Sequence, residues 1–376
     1  MHILILPSWY KRKGSPIAGI FFREQAAALA RQGHRVDLMY LNNLEERQGL
    51  EEYDDDGVRT LYLYYKKKDN KYLNGVLEIK YFMKIFKEVY KNKLPDIVHV
   101  HSFMAARFAI VINKVYKIPY VLTEHGSSIY SKKLQDWDKL RRFVLKNGYK
   151  NAKALIAVSD GLKEKVEDLT AREVMVIPNM VNDYFFDDLD ASEKRKNDKF
   201  RFLSVGRLMR DKGFDILIKA FAKALKNNSN MELVICGSGT DEESLRKLCE
   251  EYKITDSVEF RGYLPHEKIY DEIRLCDAFI LLSRIETFGI VYVEALAMGK
   301  PVIMANTCAA HNIVDEENGY IVEIDNIEQG KEAILNMVQN YKSYNSKEIQ
   351  NSCKRKFSEE TICNDIVKVY HSVLKR

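Results

Sequence analysis

Short apolar runs alternate with longer amphipathic stretches along this chain, and the whole alternation occurs twice. HILIL (2–6), RVDLMYL (35–41), DIVHVH (96–101), PYVLTEH (119–125), ALIAVS (154–159) and VMVIPN (174–179) read as buried strands, with helical periodicity near 20–32, 72–92, 103–116 and 132–150 between them. Strand then helix, repeated, specifies a parallel sheet covered on both faces. After Pro178 the pattern gives way to NDYFFDDLDASEKRKNDK, a polar stretch without apolar periodicity that reads as a linker over 183–199.

The alternation then restarts with FRFLSVG, MELVICG, SVEFRG, AFILLS and PVIMAN, and with helical segments near 214–226, 241–253, 267–274 and 289–298. The expected class is therefore α/β, with two doubly wound domains at 1–182 and 200–358; the length of 376 residues suits two domains of about 150 residues or more. Further helical stretches follow at about 327–343 and 359–375, and the last, over 359–376, is expected to pack back on the first domain. In such sheets ligands bind beyond the carboxyl ends of the strands, so a cleft where the two domains face each other is the expected site.

Composition excludes several classes. A hydrophobic fraction of 46% and a charged fraction of 30% rule out disorder, collagen and coiled coil. The cysteines at 236, 249, 276, 308, 353 and 363 include no C-x-x-C pair and read as core thiols of a reducing compartment. The opening MHILILP lacks a basic n-region and no run approaches eighteen apolar residues, so a cytoplasmic location is expected. Charge is uneven: residues 1–180 carry 31 Lys/Arg against 21 Asp/Glu, within a total net charge of +5. Lys139, Arg142, Lys146 and Lys150 fall at helical spacing, which fits either contact with an anionic surface or an ordinary solvated face. No aromatic-basic interleaving marks a nucleic-acid channel.

Three stretches carry candidate chemistry. In SRIETFGIVYVEALAMGKPV (283–302) a strand runs into a loop, and a helix is expected to begin near Phe288–Ile290; the unpaired amides of Phe288, Gly289 and Ile290 would then favour an anion. Glu286 precedes those amides, placed to accept hydrogen bonds from hydroxyls. Glu294 lies two helical turns beyond Glu286 and reads either as a second ligand contact or as a helix-surface residue. In SVGRLMRDKGFDILIKAF (204–221), Arg207 and Lys212 follow a strand; two cations there would neutralise a departing diphosphate, or they are ordinary loop charges. In SPIAGIFFREQAAALARQGHRV (15–36), Gly19 opens an Ala-rich helix and permits close approach of a ligand to the backbone. The stretch is not G-x-G-x-x-G, which argues against a nicotinamide or flavin enzyme.

The histidines divide in the same way. His99 and His101 share one face of a strand but lack a third ligand, so they read as core or cleft-lining residues. His125, at a strand end beside Gly126, is either a contact to a sugar hydroxyl or developing positive centre, or a satisfied structural histidine. Asp188-x-Asp190 falls in the expected linker, and Asp54-Asp55-Asp56-Gly57 reads as a turn; neither is assigned a metal.

Taken in order, the Gly19 opening, TEHG, AVS at 157–159, VIPN at 176–179, the VGRL…KG loop, the Glu286–Glu294 pair with Phe288-Gly289, and Gly299-Lys300-Pro301 resemble the retaining glycosyltransferases of family four, of GT-B architecture. The resemblance runs through nearly the whole chain and implies two Rossmann-like domains, the first binding acceptor and the second the nucleotide-sugar donor. It implies that Arg207 and Lys212 hold the donor diphosphate, Glu286 the transferred sugar and Glu294 the ribose. The amides of Phe288, Gly289, Ile290 and Gly19 would contact sugar or phosphate, with His125 near the reacting sugar. Transfer would be front-face through an oxocarbenium-like state, without metal or other cofactor. A glycine pair common after PVIMAN is replaced by Ala309-Ala310-His311. PSWY…SPIAGIFFREQ is more like bacterial surface-polysaccharide enzymes than starch or sucrose enzymes. The expected partners are a UDP-sugar and a growing glycan or lipid-linked acceptor, with peripheral attachment at the inner face of an anionic cell membrane. The alternatives are a sugar-phosphate synthase or phosphorylase on the same architecture, or a non-catalytic nucleotide-sugar binding protein.

Overall fold

The computed structural model describes residues 1–12, 18–45, 47–68, 70–126, 129, 137–186 and 198–375. Two compact units emerge: Met1–Val158 with Leu162–Pro178 and Ile362–Arg376, and Ser159–Gly161 with Asn179–Thr361.

The first unit is built on strands β1 (His2–Pro7), β2 (Arg35–Asn42), β3 (Gly49–Asp55), β4 (Val58–Tyr64), β5 (Ile97–His101), β6 (Tyr120–Glu124), β7 (Ala154–Ala157) and β8 (Met175–Val176). Their order across the sheet is β3-β4-β2-β1-β5-β6-β7-β8, parallel except where β3 runs against β4. Every residue of β1 and β5 is buried, which is why both read as unbroken apolar runs apart from their histidines. Helices α1 (Ile20–Arg31), α2 (Lys71–Val89), α3 (Ala106–Tyr116), α4 (Lys139–Asn151) and α5 (Asp160–Thr170) supply the crossovers.

Several elements depart from the expected pattern. The β3–β4 hairpin is additional, and the anticipated turn at 54–57 is its tip: Asp56 and Gly57 both have positive φ, at 59° and 78°, as a tight two-residue hairpin turn demands. Helix α4 starts at Lys139, where the Asp138 carboxylate caps it by accepting from the Arg141 amide. Most of the stretch expected to lead into it, 130–136, lies outside the described residues, as do 187–197 of the expected linker, including Asp188 and Asp190.

The second unit holds β9 (Phe200–Val205), β10 (Met231–Cys236), β11 (Val258–Gly262), β12 (Ala278–Leu281), β13 (Val302–Ala305) and β14 (Gly319–Val322), in the order β11-β10-β9-β12-β13-β14 and parallel throughout. Helices α6 (Phe214–Leu225), α7 (Glu242–Glu251), α8 (His266–Leu275), α9 (Ile290–Ala297), α10 (Ala310–Ile313), α11 (Ile327–Asn340) and α12 (Ser346–Phe357) complete it. Strand order reverses between β9 and β12, the switch point beside which such sheets bind ligands. The final helix, α13 (Glu359–Leu374), joins the first unit from Ile362 onward, where the Tyr370 hydroxyl lies 2.6 Å from His99 Nδ1.

Candidate active site

In the second unit, the loop after β9 carries Arg207 and Lys212, and the loop after β12 carries Glu286. The two loops are stitched together. The amides of Arg284 and Ile285 donate to the Asp211 carbonyl at 2.8 and 3.3 Å, and the Arg284 guanidinium bonds both oxygens of Asp215 at 2.8 Å and the Arg210 carbonyl at 2.7 Å. Arg284 also pairs with Asp325 at 2.6 Å. Gly213 has φ +64°, and a Cβ there would lie 1.8 Å from the Leu282 carbonyl oxygen, so only glycine fits.

This frame places the Lys212 ammonium 2.5 Å from a Glu286 carboxylate oxygen, with both side chains mostly shielded from solvent. The resemblance implies a ligand group for each; in the structure they neutralise one another. Arg207 is exposed, and among the described residues its side chain has no ion-pair partner. The Lys212–Glu286 pair and the exposed Arg207 thus stand at the point where the sheet order reverses.

The third wall is the start of α9. Gly289, at φ 86°, caps the helix in the left-handed region, and the first amides from Ile290 have no carbonyl in a preceding turn to bond. Phe288 is buried and packs edge-on against Phe357 at 5.8 Å between ring centroids, so only its backbone faces the loop chemistry. Glu294 is 3% exposed, which discards the helix-surface reading. One of its oxygens accepts from His266 Nε2 at 2.8 Å, while the other is buried without a hydrogen-bond partner. His266 Nδ1 in turn lies 2.9 Å from the Tyr184 hydroxyl. Neither His266 nor Tyr184 was a sequence candidate; a histidine opening a helix carried no signal of a carboxylate 28 positions away.

The segment where a glycine pair was expected is packed instead. Ala309 and Ala310 are fully buried, and the Cys308 thiol donates to the Glu286 carbonyl at 3.0 Å. Burial pushes that thiol up to about 11, so it stays protonated and keeps its donor. Ser159, of the AVS motif, donates to the Thr287 carbonyl at 2.7 Å. Cys308 and Ser159 therefore hold the Glu286–Thr287 backbone.

In the first unit, Gly19 has φ 72° and precedes α1; a Cβ would lie 2.8 Å from the Trp9 carbonyl and 2.9 Å from the Phe22 ring. His125 is buried, flanked by the rings of Phe21 and Phe22 at 5.1 and 5.2 Å, with Nε2 3.0 Å from His101 Nδ1. The TEHG turn is built on Glu124, whose buried carboxylate accepts from Ser102, Tyr149 and the amides of Phe103, His125 and Gly126. Burial raises this carboxyl, against the pull of those donors. His99 contacts Thr123 and Tyr370, and burial lowers it to about 3, which keeps it neutral. Among the described residues, no group of three or more His, Cys, Asp or Glu is arranged to hold a metal ion. The structure thus assembles Arg207, Lys212, Glu286, Phe288, Gly289, Ile290 and Glu294 on the second unit, and Gly19 and His125 on the first.

Two family models match successive stretches of the chain. Residues 185–355 match the model for glycosyl transferases group 1, and residues 18–184 match that for glycosyltransferase family 4. An uncharacterized glycosyltransferase of Methanocaldococcus jannaschii is 29% identical over 297 residues, spanning 73% of this chain and 75% of its own. Sucrose-phosphate synthase from Thermosynechococcus elongatus has the same fold, with a TM-score of 0.80 at 20% identity over 100% of both chains. The Anabaena HepE protein, solved in complex with UDP, aligns with a TM-score of 0.78 at 17% identity over 99% of this chain and 100% of its own. With its two parallel-sheet Rossmann-like domains and family matches running from residue 18 to 355, the chain belongs to the group 1 glycosyltransferases of GT-B architecture.

Proposed function

We propose that this glycosyltransferase is a retaining, metal-independent enzyme that moves a sugar from a UDP-sugar to a growing glycan or lipid-linked acceptor in surface-polysaccharide synthesis. The observation that carries the reading is the Lys212–Glu286 pair at the β9/β12 switch point, beside the start of α9. A donor diphosphate entering there draws Lys212 and Arg207 to its oxygens and frees the Glu286 carboxylate for hydroxyls of the transferred sugar. Fixed positive charge then stabilises the departing phosphate, which takes the proton of the acceptor hydroxyl as the new bond forms on the same face. The amides of Phe288, Gly289, Ile290 and Gly19 bind phosphate or sugar, Glu294 binds the ribose, and His125 lies at the reacting sugar. The choice of a uridine nucleotide is supported by the likeness to a protein solved with UDP.

The lipid-linked acceptor and a position at the inner face of the cell membrane are supported by one surface of the first unit. Phe143 and Leu140 on α4 are 63% and 44% exposed, and Val76 and Leu73 on α2 are 53% and 46% exposed. Leu140 lies 3.9 Å from the position of a Cβ on Gly75, so the two helices meet there. Lys139, Lys146 and Lys150 are exposed on the same helix as Phe143. Apolar anchors among lysines suit an anionic lipid surface. No helix among the described residues is long and apolar enough to cross a membrane.

Incubation with UDP-, GDP- and ADP-sugars, followed by mass spectrometry of what is retained or hydrolysed, tests the donor assignment; retention of a UDP-sugar is expected, and retention of none removes it. A second reading, a sugar-phosphate synthase, is favoured by the likeness to sucrose-phosphate synthase. Transfer to free sugar phosphates, but not to lipid-linked acceptors, selects it.

A further inference from the structure

Glu294 is the most deeply buried carboxylate at the site, and its two oxygens are treated differently: one meets His266 Nε2 at 2.8 Å, the other is enclosed without a partner. An ionised carboxylate only accepts, so the hydrogen between them belongs to Nε2. In the neutral ring, Nδ1 is then a bare acceptor, and it faces the Tyr184 hydroxyl at 2.9 Å. The phenol donates to Nδ1, the imidazole donates to Glu294, and polarisation runs one way along the chain. This order satisfies every group but one, the second oxygen of Glu294, and a buried acceptor left open is stabilised by a donor from outside the protein.

The relay is also braced. His266 is the first residue of α8 and follows Pro265, whose fixed backbone sets where that helix begins. Phe185 and Tyr184 lie against the imidazole at 5.5 and 6.0 Å between ring centroids, and Tyr270 closes on both aromatic rings at 5.8 and 5.9 Å. Two aromatic rings thus pack against the imidazole, and both its nitrogens are bonded.

We propose that Tyr184 and His266 are positioning residues that fix the orientation of Glu294 and aim its second oxygen at a hydroxyl of the donor ribose, making the site selective for ribonucleotides over deoxyribonucleotides. The proposal rests on the reading of Glu294 as the ribose contact. It adds that the discrimination is set by two side chains that do not touch the nucleotide. A purely structural tie between α8 and α9 would strengthen binding of both nucleotide types equally; an aimed oxygen acts only where the hydroxyl exists.

The test measures binding of UDP, GDP and ADP, and of their 2′-deoxy and 3′-deoxy counterparts, to the full chain by calorimetry. The tightest wild-type ribonucleotide is expected to lose about tenfold in affinity in His266→Ala, with the deoxy counterpart lacking the recognised hydroxyl nearly unchanged. His266→Gln, whose amide can still donate to Glu294, recovers most of the discrimination, and Tyr184→Phe lowers it about threefold. With the matching donor sugar, KM rises while kcat is largely kept. Equal weakening of ribo- and deoxynucleotides in His266→Ala, or full discrimination retained in it, overturns the proposal while leaving the donor site in place. Absence of nucleotide binding in the wild type overturns the donor reading and the proposal together. Should His266→Ala not fold, as judged by circular dichroism, Tyr184→Phe keeps the imidazole in place and decides the same question.

Discussion

Gly213 lies so close to Leu282 that a single added carbon would meet the Leu282 carbonyl oxygen at 1.8 Å. Backbone from one loop is in contact with backbone from the other, and neither has a flexible side chain to yield. The spacing between the Lys212 and Glu286 loops is therefore set by a hydrogen atom. Gly213→Ala is expected to cost roughly 1–3 kcal/mol of stability and to lower transfer activity further, since the pair Lys212–Glu286 is displaced. Thermal unfolding and initial rates of the purified variant check both parts.

Loss of charge at the diphosphate end separates the roles assigned to the loops. Lys212→Ala and Arg207→Ala are each expected to lose on the order of 3 kcal/mol of transition-state stabilisation, and Glu286→Ala to abolish transfer. A chelator leaves the wild-type rate largely unchanged. Full activity in either cation variant, or a strict requirement for manganese, contradicts the leaving-group chemistry.

Stability should fall on the acid side through three named aspartates. Burial works to raise the carboxyls of Asp37, Asp55 and Asp215, but hydrogen bonds outweigh it: from His2 to Asp37, from Lys11 and Arg23 to Asp55, and from Arg284 to Asp215. Each is held below the usual 3.8. A depressed carboxyl contributes stability that is complete above its unfolded value and is lost as pH falls through its folded value. The thermal midpoint is thus expected to hold down to about pH 4 and to drop below it. Asp55→Asn and Asp215→Asn should each start lower and show a flatter acid limb.

Attachment to lipid should depend on Phe143 and on salt. Vesicles rich in phosphatidylglycerol are expected to bind the wild type at low ionic strength and to release it as salt rises. Phe143→Asp should reduce the partition coefficient about tenfold or more, and Lys146→Glu should weaken binding at low ionic strength and flatten its dependence on salt. Flotation that fails at low ionic strength, or that ignores Phe143, removes the membrane assignment.

The central strands were legible in the chain because both their faces are covered: HILIL and FRFLSVG contain few polar letters to break the run. β3 was not, since GLEEYDD lies at the sheet edge with most of its residues outward, leaving no alternation to detect. Helix α12 hides for a related reason: only Ile349, Cys353 and Phe357 are buried, a stripe one residue wide among polar and basic residues. The loops bearing Lys212 and Glu286 stood out because each follows a readable strand. Their mutual ion pair did not, because it depends on which strands become neighbours at the switch point. The Tyr184–His266–Glu294 relay was out of reach for the same reason, joining residues 82 and 28 positions apart.

The hydrogen bond between His99 and Tyr370 has a consequence for the order in which the polypeptide matures. Leu162–Pro178 leaves the ribosome well before Ile362, and at 5–20 residues per second the intervening stretch takes about ten to forty seconds to translate. During that interval the β5 imidazole has Thr123 beside one nitrogen while Tyr370, its partner at the other, has yet to be made, and the strands of the second unit, Phe200 to Val322, are completed first. Vectorial synthesis therefore finishes the two units in reverse: the one begun first is sealed last.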